Sequence, residues 1–178
     1  MYSRFPLTRR LSTTTTHLLT SKNTLSNWTV GLALLLKNLD LGPLPPHKSP
    51  QFSQPTLHIY GTTLIGPLAI LRFLEENIHN GLSLLPREEV ERELVVCWVQ
   101  RLSMSCEVFR FYQETEVGSE ERSEKYPGSR FRAWDEEEVA RIERGLIECA
   151  GVYTVGDNIT MADLYLYPRI KLSNKLFN

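Results

Sequence analysis

Residues 151–168 read GVYTVGDNITMADLYLYP. This stretch decides the fold, because its chemistry leaves little choice about local structure. Gly156-Asp157 is a turn pair, and Thr160-Met161-Ala162-Asp163 is a capping box. In such a box the threonine hydroxyl accepts from the Asp163 N–H, while the Asp163 carboxylate reaches back to the Thr160 N–H. Ile159 and Leu164 stand at the two positions of a hydrophobic staple, which sets the angle at which the chain runs into the helix. A helix is therefore expected to begin at this box and to carry Pro168 in its body.

Outward from this point the pattern is helical. Val139, Ile142, Leu146 and Cys149 recur at helical spacing, and acids at 135–138 fill the first turn, where the helix dipole favours them. A helix is therefore expected from about Asp135 to Cys149. The stretch Glu114 to Arg132, charged and holding Gly118, Pro127 and Gly128, reads as a mobile loop. Pro86 to about Gln113 reads as a long helix with Val90, Leu94, Trp98, Leu102, Phe109 and Tyr112 near one face. In front of it the period changes. Gly66-Pro67 opens a helix with Ile70, Phe73, Leu74 and Ile78 as its stripe and Asn80-Gly81 as its stop. Thr56–Tyr60 and Thr62–Ile65, divided by Gly61, read as a tight hairpin. Residues 43–55 hold Pro43, Pro45, Pro46, Pro50 and Pro55, so no stable helix crosses them. Ser26 to Lys37 is a helix with apolar residues on more than one side and Asn38 as its stop, and His17 to Ser21 is a short strand. Strands and helices in front and helices alone behind give an α+β reading with two unequal domains.

The bulk numbers limit the partners. With 178 residues the chain can bury a real core, and its net charge of -1 argues against a general attraction to nucleic acid or an anionic membrane. Cys97, Cys106 and Cys149 form no disulfide pattern and no zinc spacing, which points to a reducing, cytoplasmic compartment and to no metal. No apolar run approaches the roughly 20 residues that span a bilayer. Residues 1–16 are rich in Arg, Ser and Thr and free of acids. They read either as a disordered basic tail or as a mitochondrial presequence, so a mitochondrial location stands as the alternative.

Taken together the pieces resemble the glutathione transferase superfamily, zeta class, the maleylacetoacetate isomerase kind. The capped helix at residues 151–168 resembles the buried helix start of that family's helical domain. SNWTVGLALLLKNLD (26–40) resembles its first helix, QPTL (54–57) its cis-proline strand, LAILRFLEE (68–76) the helix after its hairpin, and Leu84-Leu85-Pro86 the opening of its helical domain. The resemblance covers roughly residues 17–172. It implies a thioredoxin-like front half at 17–81, shortened because only Gln54 stands where the family has a helix before the proline. It also implies a helical back half at 82–178, truncated because the chain stops at Asn178 soon after the capped helix. A homodimer is implied as well.

The resemblance further implies a chemistry. Glutathione serves as cofactor, its thiolate adds to a cis double bond of a small electrophilic dicarboxylate, the resulting single bond rotates, and elimination gives the trans product. Thr24 falls where the family places its key serine, and Ser26 offers a second hydroxyl at the start of the first helix; against this stands the plain reading that both only cap the helix. Pro55 would be cis, exposing the backbone of Gln54 to pair with glutathione; a trans proline at a strand start is the plain alternative. At the next position the sequence departs from the family. Gly66-Pro67 replaces a glutamine–serine pair that holds the γ-glutamyl carboxylate. Each charge-assisted hydrogen bond is worth roughly 1.5–3 kcal/mol, so losing two predicts binding weaker by on the order of a hundredfold or more. Asn23, Thr29 and Gly31 stand where the family has arginines for the substrate carboxylates. Two other readings therefore stand beside the enzyme: a non-catalytic binding or scaffold module on the same fold, and a truncated inactive product.

Overall fold

The computed structural model describes residues 17–19, 25–39, 54–59, 61–116 and 128–177. A three-stranded sheet leads. β1 (His17–Leu19) pairs antiparallel with β2 (Thr56–Ile59), and β2 pairs antiparallel with β3 (Thr62–Ile65). β2 is central, and Thr56, Leu57 and Ile59 are buried; β3 is an edge whose side chains are largely exposed. The hairpin read from Gly61 is present, and Gly61 takes the positive φ of 76° that a tight reversal needs.

Two helices cover this sheet unit. α1 (Leu25–Leu36) buries Leu25, Thr29, Val30, Ala33 and Leu34. It ends as expected at Asn38, whose φ of 50° is left-handed. The Leu39 N–H then donates to the Leu34 carbonyl and the Asn38 N–H to that of Leu35, the paired bonds of a Schellman closure. α2 (Pro67–Asn77) buries Ile70, Leu71 and Leu74. It stops three residues short of the expected Asn80-Gly81, because Ile78 turns extended. Gly81 serves instead a close passage: with φ at 76°, any Cβ there would overlap the Leu36 carbonyl oxygen, and the Leu82 N–H donates to that same oxygen at 3.1 Å.

The remaining helices are α3 (Glu89–Glu116), α4 (Gly128–Cys149) and α5 (Met161–Phe177). α3 starts three residues later than the proline suggested. The Glu88 carboxylate accepts from the N–H groups of Val90 and Glu91, so Glu88 caps the helix and Pro86 stays outside it. α4 starts seven residues earlier than expected, so residues 128–132 are helical rather than loop. Gly128 and Ser129 have weak helix preference and hid this turn.

α5 runs through the middle, packed against α1 and α3. Its Ala162, Leu164, Tyr165 and Leu166 join one core with Val30 and Leu34 of α1 and with Val95, Val99 and Leu102 of α3. This core also takes polar cargo. Arg169 is 1% exposed and its Nε donates to Ser105 Oγ. Tyr165 Oη is buried with no hydrogen-bond partner among the described residues, and burial pushes its pKa above the usual phenol value. Cys106 lies in the same layer, and burial pushes its thiol up to about 12, so it stays protonated. Where α3 meets α4 the Trp98 indole N–H donates to Cys149 Sγ at 3.0 Å, and the ring fills the space beside Gly145 of α4.

Candidate functional site

The capping box forms with one change from expectation. Asp163 reaches back to the Thr160 N–H at 2.7 Å, but the Thr160 hydroxyl donates to the same carboxylate at 3.0 Å instead of accepting from the Asp163 N–H. Asp163 also accepts from the Thr154 N–H at 2.8 Å and the Thr154 hydroxyl at 2.6 Å. Four donors leave this carboxylate no capacity for a ligand. Its work is structural: it binds the turn at 154 to the start of α5, while the Met161 N–H donates to the Leu84 carbonyl and ties that start to the connection before α3.

A second polar knot sits where α1, α2 and that connection meet. Lys37 Nζ lies 2.7 Å from Glu75 Oε2, with the two side chains 3% and 12% exposed. Glu75 also accepts from the Ser83 hydroxyl at 2.6 Å and the Leu84 N–H at 3.0 Å. Burial raises the Glu75 pKa, but the Lys37, Ser83 and Leu84 donors outweigh it and hold the carboxyl below its usual range.

This knot orients the site. With the C-terminal ends of α1 and α2 joined, their N-terminal ends lie together at the opposite end: Ser26 is about three turns before Lys37, and Gly66 about two and a half turns before Glu75. The sheet register agrees. Leu19 pairs with Thr56 and Thr56 with Ile65, so the chain leaves β1, begins β2 and finishes β3 at that same end. Ser26, Gln54, Pro55 and Gly66 therefore share one corner. Ser26 is half-buried in the first turn of α1, and Thr24 lies outside the described residues.

Pro55 corrects an expectation. Among the described residues no peptide bond is cis, so Pro55 is trans. It continues the β2–β3 ladder by one position: its carbonyl accepts from the Gly66 N–H at 2.9 Å, and the Gln54 carbonyl accepts from the Thr56 hydroxyl at 3.4 Å. A trans proline at the start of a strand gives up no ladder bond, which is why it fits there. The Gln54 side chain faces the corner. Gln54 Oε1 lies 3.1 Å from where a Cβ of residue 66 would stand. Gly66 has φ 88° and ψ 150°, a region open essentially to glycine alone.

A separate open cleft of about 640 Å³ lies between the connection at 82–91 and the turn at 153–160, lined by Arg87, Glu91, Tyr153, Asp157 and Thr160 among others. It is remote from the corner. Among the described residues no group of three or more His, Cys, Asp or Glu side chains could hold a metal ion, and no helix is long and apolar enough to cross a membrane.

A thioredoxin-like sheet unit followed by a helical half defines the glutathione transferase fold. A glutathione S-transferase from the Antarctic clam Laternula elliptica superposes with a TM-score of 0.71 at 17% identity, covering 92% of this chain and 80% of that one. A maleylacetoacetate isomerase from Anaeromyxobacter dehalogenans 2CP-1, solved with glutathione in its active site, superposes at 0.67 with 25% identity over 90% and 82%. No family model matches the chain. Among curated relatives, the maleylacetoacetate isomerase of Rattus norvegicus is 30% identical over 166 residues, 81% of this chain and 71% of the relative. A probable maleylacetoacetate isomerase of Caenorhabditis elegans is 29% identical over 168 residues, 84% and 74%. The chain belongs to the maleylacetoacetate isomerase family, the zeta class of glutathione transferases.

Proposed function

We propose that the chain is a glutathione-dependent cis–trans isomerase or transferase acting on a small electrophile. The observation that carries this is the 30% identity to the rat enzyme across most of both chains, and the corner shared by Ser26, Gln54, Pro55 and Gly66 supports it. Glutathione, when bound, supplies a thiolate nucleophile. The chain's own part is to bind and orient. The start of α1, with the Ser26 hydroxyl and the positive end of the helix dipole, favours an anion and would lower the thiol pKa, with Thr24 as the preceding hydroxyl. The half-buried Gln54 and the side-chain-free Gly66 leave polar atoms and room for a peptide beside β2. The purified chain is expected to be retained on immobilised glutathione and to conjugate or isomerise a maleyl substrate; silence in both assays would reject the enzyme.

One observation favours a second reading, a binding module that has lost its cofactor. Pro67 carries no N–H, and the Gly66 N–H is already given to Pro55. Under that reading glutathione leaves the melting temperature unchanged, whereas binding raises it. Either reading is proposed as a homodimer. Val90, Leu94, Met104 and Val108 are exposed along one side of α3, four, ten and four residues apart. Sedimentation should give twice the chain mass, and Leu94→Glu with Met104→Glu should return it to one; a monomeric wild type would refute the pairing.

A further inference from the structure

We propose that the cleft between residues 82–91 and 153–160 is a docking groove for this chain's own first residues, with Phe5, Leu7 and Leu11 against its apolar wall and Arg9-Arg10 against its acidic rim. The proposal is independent of whether glutathione binds. The apolar wall is Leu82, Leu85, Tyr153 and Val155. Leu82 and Tyr153 remain 49% and 36% exposed. On the rim Glu88, Glu91 and Asp157 stand against one base, Arg87. Two of these acids already have work within the fold. Glu88 caps α3, and the Asp157 carboxylate accepts from the Val152 N–H at 3.1 Å. Glu91 has none. Its carboxylate makes no hydrogen bond or ion pair with a described residue. Its Oε1 lies 3.4 Å from where a Cβ of Gly156 would stand, so the side chain leans from α3 across to the opposite wall. An apolar floor under a mostly acidic rim suits a segment that is itself apolar and basic.

Residues 1–16 have that chemistry. They hold Arg4, Arg9 and Arg10 and no acid, with Tyr2, Phe5, Leu7 and Leu11 among them. The fold also delivers them to the right end of the molecule. β1 begins at His17, which pairs with His58, away from the corner where Leu19 meets Thr56. The C-terminal ends of α1 and α2 lie at that same end. There the Leu82 N–H donates to the Leu36 carbonyl, which ties one wall of the cleft to the front unit. Arg10 precedes His17 by seven residues. Extended, that stretch reaches about 25 Å, roughly the width of a unit of this size. Within one chain the segment meets the groove at an effective concentration on the order of millimolar, so weak contacts suffice to seat it. Those contacts are exposed, so added salt should loosen them. A seated segment straps the front unit to the turn before α5 and withholds its arginines from other partners.

Trypsin reads the docking directly, because it cuts after Arg9 and Arg10. The initial rate of those cuts should be followed by mass spectrometry in the full chain and in a synthetic peptide of residues 1–16, at low and at high salt. At low salt the full chain should be cut about fivefold more slowly than the peptide, or slower still, since proteolysis follows the population of the open form. At high salt the two rates should converge. Glu91→Lys should lose most of the protection at low salt, and Glu91→Gln part of it. Melting temperatures taken alongside identify a variant that loosens the fold, and the salt comparison on the wild type needs no variant. Equal rates for chain and peptide at low salt, or protection indifferent to both salt and Glu91→Lys, would overturn the proposal. Protection that rises with protein concentration would also overturn it, by seating the segment on a second copy instead.

Discussion

Asp163→Ala is expected to destabilise the chain by about 3–5 kcal/mol, enough to abolish much of the folded population of an ordinary domain. The carboxylate accepts four hydrogen bonds, two from Thr154 and two from Thr160. Both threonines are buried, at 3% and 2% exposure, so the donors left behind cannot turn to water. Hydrogen bonds to a charged group contribute roughly 1.5–3 kcal/mol each, and those sharing one acceptor do not add fully. Asp163→Asn keeps one oxygen and should cost about half as much. Urea unfolding followed by far-ultraviolet dichroism would read this as a shift in midpoint at constant slope. A loss under about 1 kcal/mol for the alanine variant would show that the turn at 154 and the start of α5 are held by something else.

Lys37→Met should cost a comparable amount, about 3–5 kcal/mol, because it strands a buried carboxylate. Glu75 would keep Ser83 and Leu84 as donors but lose its counter-ion, 2.7 Å away. Replacing both partners with apolar residues should recover only part, since the Leu84 N–H would then be orphaned. The pH dependence follows from the depressed Glu75 carboxyl. Its folded pKa lies below the usual 4.5, so the unfolded chain takes up the proton first. The stabilisation is complete above about 4.5 and drains away as the pH falls from there through the folded value. Wild type and Lys37→Met should therefore differ most near neutrality and converge in acid. A difference that grew as the pH fell would contradict the pairing.

Much of the fold was readable because its signals are local. The box at Thr160-Asp163, the stop at Asn38, the hairpin at Gly61 and the proline opening of α2 each depend on a few adjacent residues whose φ angles or donors admit few alternatives. The failures came where the deciding partner is elsewhere. Pro86 looked like a helix start, but the Glu88 side chain supplied the cap. The first turn of α4 contains Gly128 and Ser129, weak formers that hid it. At the corner, Ser26, Gln54 and Pro55 were named from the sequence, yet the isomer of Pro55 and the direction of Gln54 depend on the ladder bond to Gly66, which no pattern within residues 54–57 encodes. Lys37 read only as the last residue of the first helix, and nothing near it in sequence announced Glu75.

The contact between Trp98 and Cys149 has an optical consequence. An indole that is 6% exposed and donates to sulfur sits beside an efficient quencher of its excited state, at the seam between α3 and α4. Trp28, at 43% exposure, emits from a wet surface at longer wavelength. The Trp98 contribution to the intrinsic emission is thus dim and blue, and parting of that seam brightens and reddens it without any attached dye.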